Sequence, residues 1–129
     1  MKNKVITNFM QNIRKKLLEL SKGNEEYAIF NKKIVNTKKE VLGVRSPDMR
    51  KFAKDLAKEM NFEKLEDFLK SINENIFEEV CLFGFLVAYT KISDIEKIKL
   101  TKKYLKYVDN WALIDSFVSS FKRIDKDLW

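Results

Sequence analysis

The chain of 129 residues contains no histidine, a single cysteine (Cys81), one proline (Pro47) and three glycines. Without histidine there is no serine triad, no Cys–His pair and no HExxH zinc site. One cysteine allows neither an internal disulfide nor a cysteine-based zinc site. So few glycines and prolines leave little material for hairpins, which argues against an all-β fold. The glycine spacing fits neither a P-loop nor a dinucleotide fingerprint, and the acidic residues show no calcium-loop pattern. The apolar run Val80–Tyr89 is too short to span a bilayer, and the opening MKNKVITNFM has no cleavable apolar core. A soluble, cytoplasmic protein without a membrane partner is therefore expected. Any catalysis must rest on carboxylates, with Lys, Arg and aromatics in support.

What is present is helical. Hydrophobic residues make up 45% of the chain and aromatics 12%, a globular composition that suits one domain over residues 1–129. Ile6, Phe9, Met10, Ile13, Leu17 and Leu20 recur at helical spacing, with Gly23 as a stop. Tyr27, Phe30 and Ile34 continue the period in a second segment. Ser46 is placed to cap the next helix and Pro47 to open it. Met49, Phe52, Ala53, Leu56, Ala57 and Met60 then share one face, and Leu65, Phe68, Leu69 and Ile72 mark a shorter helix. Residues 76–90 are apolar nearly all round, as a central buried helix would be. Gly84 within that helix predicts a close-packed neighbour. SDIE at 93–96 reads as a capping box, opening a helix to about Val108. Asp109 or Asn110 caps the last helix.

About seven helices with short turns favour antiparallel pairs, and segments 46–72 and 76–108 are two such pairs. Stacked pairs suggest a HEAT-like solenoid, although periodicity alone also allows a compact bundle.

The net charge of +7, from 26 basic and 19 acidic residues, points first to nucleic acid and second to an acidic membrane surface. A solvated lysine-rich surface is the plain alternative. Lys99, Lys102, Lys103 and Lys106 form a stripe expected opposite an apolar face of Ile98, Thr101, Leu105 and Val108. Lys38–Lys39 and Arg14–Lys15–Lys16 add local positive charge.

In KYVDNWALIDSF (106–117), Trp111 and Asp115 lie one helical turn apart. A carboxylate suits cleavage of a bond whose leaving group is already activated. An N-alkylated purine is cationic and departs as a neutral base without needing a proton. The sugar cation left behind is stabilised by a fixed negative charge and by an aromatic face. The bland alternative is that Trp111 packs at the edge of the Ile114, Phe117, Val118 and Phe121 stripe while Asp115 is solvated or capping.

Three segments, LGVRSPDMRKFAKDLAKE (42–59), FEEVCLFGFLV (77–87) and YVDNWALIDSF (107–117), resemble the DNA alkylation repair family, the AlkD-like DNA glycosylases. The resemblance runs from about Tyr27 onward. It implies an all-α fold, an α-α superhelix of stacked antiparallel HEAT-like pairs whose concave basic surface holds duplex DNA. It implies excision of positively charged alkylpurines, a monomer, and no metal or organic cofactor. Asp115 would be the catalytic carboxylate and Trp111 would lie against the lesion-bearing deoxyribose. Tyr27 would match an aromatic near the DNA cleft. In the Gly43–Arg50 signature, Gly43 would permit a turn and Pro47 start a helix, while Arg45 and Arg50 reach phosphate. Cys81 and Phe83 stand where one branch of the family has polar residues, including a histidine. Family members continue beyond KRIDKDLW, so the chain is expected to be the N-terminal part of a longer family domain. Two other classes fit a basic helical repeat: a non-catalytic nucleic-acid binder and a protein-interaction scaffold.

Overall fold

The computed structural model describes residues 2–110, 112–114 and 117–118, with side chains from residue 8 onward. Six α-helices follow one another: α1 (Lys2–Ser21), α2 (Glu25–Val35), α3 (Ser46–Ala57), α4 (Phe62–Ser71), α5 (Phe77–Tyr89) and α6 (Asp94–Tyr104). A 3₁₀ turn over Leu105–Tyr107 continues α6, and a further helical segment includes residues 112–114 and 117–118. The fold is all-α, a superhelix of stacked helix pairs, with α3 beside α5 and α4 beside α1, α5 and α6.

The core has the composition that the periodicity predicts. Met10, Ile13 and Leu17 from α1, Met49, Ala53 and Ala57 from α3, and Leu65, Phe68 and Leu69 from α4 are all buried. Each fully buried Leu or Phe contributes about 1.5–3 kcal/mol relative to exposure. Helix α5 lies at the centre, buried from Phe77 to Ala88 apart from Cys81. Gly84 is the point of closest approach to its neighbour. A Cβ there would sit 2.9 Å from the Tyr104 hydroxyl oxygen and 3.4 Å from Phe117 Cδ1.

Helix ends follow local chemistry. Ser93 and Glu96 form the expected capping box, and Gly23 takes a φ of +82° after α1. Asn110 caps the last helical segment, its Oδ1 accepting the Leu113 amide at 3.1 Å. Asn61 caps α4 by accepting the Lys64 amide at 2.8 Å. Ser46, in contrast, is the first helical residue rather than the cap. Arg45 holds the cap position without a side-chain hydrogen bond, and Pro47 falls one place later than expected.

Two apolar faces differ from the sequence expectation. Helix α2 buries none of its residues, and Phe30 and Ile34 are exposed, because α2 runs along the edge of the stack. In α6 the buried residues are Leu100 and Tyr104, whereas Ile98 and Leu105 are about half exposed. Tyr104 turns inward because Gly84 leaves room for it. The lysine stripe of α6 therefore shares its exposed side with Ile98 and Leu105 instead of opposing them.

Arg14 also departs from the basic patch expected of it. Its guanidinium pairs with buried Glu79 at 2.9 Å and donates to the Ser71 carbonyl at 2.9 Å, tying α1 to the start of α5. Glu79 also accepts the Asn73 amide at 2.9 Å. No helix among the described residues is long and apolar enough to cross a membrane.

Candidate functional site

The loop between α2 and α3 is held from below by Glu78. This carboxylate is almost fully buried and accepts the backbone amides of Leu42 at 2.9 Å, Gly43 at 3.0 Å and Val44 at 3.3 Å. Gly43 is required at the bend. Its φ is +102°, and a Cβ would lie 2.9 Å from the Asn24 carbonyl oxygen. The loop so fixed delivers Arg45 to the ring of Tyr27, with the guanidinium carbon 4.3 Å from the ring centroid.

Beside that pair is a cleft of about 70 Å³, lined by Tyr27, Val44, Met49, Glu78, Cys81 and Ala112 among others. This is room for about two waters. Glu78 already accepts three amides, so its role there is to anchor the loop. Burial pushes the Cys81 thiol up to about 12, the Glu78 carboxylate adds to this, and Arg50 opposes it. The sulfur is thus a protonated wall residue at neutral pH rather than a nucleophile.

From this cleft a line of cations runs along the groove between α3 and α5. Arg50 lies 4.7 Å from the Phe85 ring centroid and donates to the Tyr89 hydroxyl at 3.1 Å. One turn further, the Lys54 ammonium is 5.5 Å from the Tyr89 ring centroid. Lys54, Lys58 and Lys91 then surround an open hollow of about 270 Å³ floored by Met60 and Tyr89. At 100° per residue, Arg50 and Lys54 share one edge of α3 while Asp48 and Asp55 occupy the other, and Lys58, just past the helix end, pairs with Asp55 at 3.9 Å. Lys54 and Lys58 are exposed, so an anion can reach them.

The sequence-derived site residues fall into three groups. Tyr27, Arg45 and Arg50 come together around the cleft and groove. Lys99, Lys102 and Lys103 of α6 and Lys106 of the 3₁₀ turn are exposed and do not join them. Lys103 pairs with Glu66 of α4 at 3.2 Å. Trp111 and Asp115 lie outside the described residues; Ala112, next to Trp111 in the chain, lines the cleft. Another hollow, of about 310 Å³, is lined by Arg14, Leu17, Leu18 and Glu79 and contains none of these residues.

Sequence reasoning missed the contact that joins the cleft to the last helical segment. Asp109 lies 2.8 Å from the Thr37 hydroxyl through both of its oxygens and accepts the Lys38 amide at 3.1 Å. Burial acts to raise its pKa, but bonds from Asn110, Thr37 and the Lys38 amide, with the charge of Lys39, outweigh it. The net shift is downward from 3.8, so these contacts add stability above that pH and lose it as pH falls below. A carboxylate two residues before Trp111 was the available signal. Among the described residues, no group of three or more His, Cys, Asp or Glu side chains is placed to hold a metal ion.

The buried-carboxylate loop, the cations along α3 and the helical stack define a helical-repeat protein with a basic edge. Residues 13–124 match the family described as DNA alkylation repair enzyme, and the chain belongs to that family. Membership supports a role in DNA repair. No curated protein and no solved structure matches the chain.

Proposed function

We propose that the protein hydrolyses the N-glycosidic bond of positively charged alkylated purines in duplex DNA. Asp115 is the carboxylate that stabilises the developing sugar cation and orients water, and Trp111 contacts the lesion-bearing nucleotide. Tyr27 and Arg45 border the approach. Arg45 and Arg50 meet backbone phosphates, with Lys54 continuing their line.

The observation that carries this reading is the extent of the family match. It runs through both Trp111 and Asp115, and Ala112 between them lines the cleft shared with Tyr27. The chemistry fits a site without histidine. A cationic alkylpurine needs no general acid to leave, so the protein has only to stabilise positive charge at the sugar, and a fixed carboxylate does this directly.

The test is single-turnover release of base from a duplex containing an N7-alkylated guanine. The parent protein is expected to release it above the spontaneous rate, and Asp115→Asn to lose about a hundredfold or more. An Asp115→Asn protein that is folded and releases base at the parent rate removes the mechanism. A parent protein that binds duplex but never exceeds the spontaneous rate removes the activity.

A further inference from the structure

We infer that Thr37 and Asp109 are positioning residues that lock the start of the segment bearing Trp111 and Asp115 to the loop after α2; this rests on the excision reading above. The Asp109 carboxylate is reached by three donors. Thr37 Oγ1 stands 2.8 Å from each oxygen, the Lys38 amide is at 3.1 Å, and Asn110 Nδ2 is at 2.7 Å. Asn110 in turn accepts the Leu113 amide through Oδ1, closing the first turn of the segment. Thr37 itself accepts the Lys39 amide at 3.1 Å, which fixes the direction of its hydroxyl. Loop and segment are 72 residues apart in sequence, yet an unbroken chain of hydrogen bonds connects Lys39 to Leu113.

Packing alone does not supply this control. Leu113 and Phe117 are buried and fix how deep the segment sits. Buried apolar contacts resist withdrawal more strongly than rotation about the segment's axis, because they are not directional. The clamp supplies the missing direction at the end nearest Trp111. The loop it grips is also the one that carries Val44 to the cleft and Arg45 to Tyr27. One carboxylate therefore sets the catalytic segment in register with the groove. From the facing loop, the charge of Lys39 and the backbone amide of Lys38 both favour the ionised form of Asp109.

The test compares Thr37→Val, Thr37→Ser and Asp109→Ala in a Trp129→Phe background, where Trp111 is the only tryptophan. Three readouts are taken: melting temperature, duplex Kd with single-turnover base release, and Trp111 emission. Thr37→Val and Asp109→Ala are expected to lose about ten- to a hundredfold in single-turnover rate, as misplaced catalytic groups do, with duplex Kd within about twofold. Their Trp111 emission should shift, and Thr37→Ser should restore both rate and emission. Thr37→Val with the parent rate and emission overturns the inference. So does a rate loss without a change in emission, a loss confined to duplex affinity, or Thr37→Ser as impaired as Thr37→Val. If Asp109→Ala does not fold, Thr37→Val carries the test. If the parent releases no base, the excision reading falls and emission decides alone: a shift supports the clamp, and unchanged emission in Thr37→Val overturns it.

Discussion

Replacing Gly84 by alanine tests the contact on which the last helical segment rests. Alanine in place of an interior helical glycine gains about 1 kcal/mol of helix propensity. At position 84 its Cβ would stand 2.9 Å from Tyr104 Oη and 3.0 Å from Cζ. The phenol has nowhere to go. Tyr104 is 1% exposed, and its ring centroid is 5.9 Å from that of Phe83 and 5.0 Å from that of Phe117. Overpacking costs about 1–3 kcal/mol, and a phenol this confined places the cost in the upper part of that range, about 2–3 kcal/mol, so Gly84→Ala should be a net loss of about 1–2 kcal/mol. The hydroxyl that blocks the space has no hydrogen-bond partner among the described residues. Tyr104→Phe should therefore be neutral or stabilising, within about 1 kcal/mol. In the double variant the 2.9 Å contact is gone, and the remaining carbon contact needs a shift of a few tenths of an ångström. The double variant should then match Tyr104→Phe alone, a favourable coupling of about 1–2 kcal/mol. Urea unfolding followed by circular dichroism, with m held constant across the four proteins, measures it. Additivity within about 0.5 kcal/mol, or a full propensity gain in Gly84→Ala, refutes the packing argument.

Arg14→Ala should destabilise by about 2–4 kcal/mol in the same unfolding assay, because Glu79 is left buried without its cation; a loss under about 1 kcal/mol would show that the charge is not confined. Neutralising Lys54, Lys58 and Lys91 together should flatten the dependence of log duplex affinity on log salt by roughly one unit per lost phosphate contact, as measured by fluorescence anisotropy. Neutralising Lys99 and Lys102 of α6 with Lys106 of the 3₁₀ turn should change that slope less, and the reverse ranking would place the backbone on the α6 face.

The helices were legible because apolar spacing at three and four residues survives whatever the tertiary arrangement. So was the burial of α5, where no polar face exists to turn outward, and the close approach at Gly84. The apolar stripes of α2 and α6 misled for one reason: a periodic stripe shows that a helix has a side, not that a neighbour covers it. Phe30 and Ile98 satisfy the period and remain exposed, while Tyr104, counted with neither face, fills the gap above Gly84. Long-range polar bonds were illegible. Glu78 is 34–36 residues from the amides it accepts, and Asp109 is 72 from Thr37, distances over which local pattern carries no information. The approach of Arg45 to Tyr27 was indicated only through the family resemblance, which placed both near DNA without pairing them.

These hidden bonds share a target. The loop from Thr37 to Val44 is gripped by Asp109 at one end and by Glu78 at the other. Between them Glu40 exchanges backbone bonds with Asn75 and Phe77, at 2.7 and 2.8 Å. Asn24 adds a bond to the Gly43 carbonyl at 2.9 Å. A loop in a small helical domain with no disulfide would ordinarily be its least ordered part. Apolar packing limits how far such a segment can move, whereas a carboxylate accepting several amides also fixes its direction. Glu78 and Asp109 together convert the loop into a rigid reference between the cation-lined groove and the segment after Asn110. A chain without histidine, and without metal-binding clusters among its described residues, can in this way hold the directional geometry that the proposed glycosidic-bond cleavage needs.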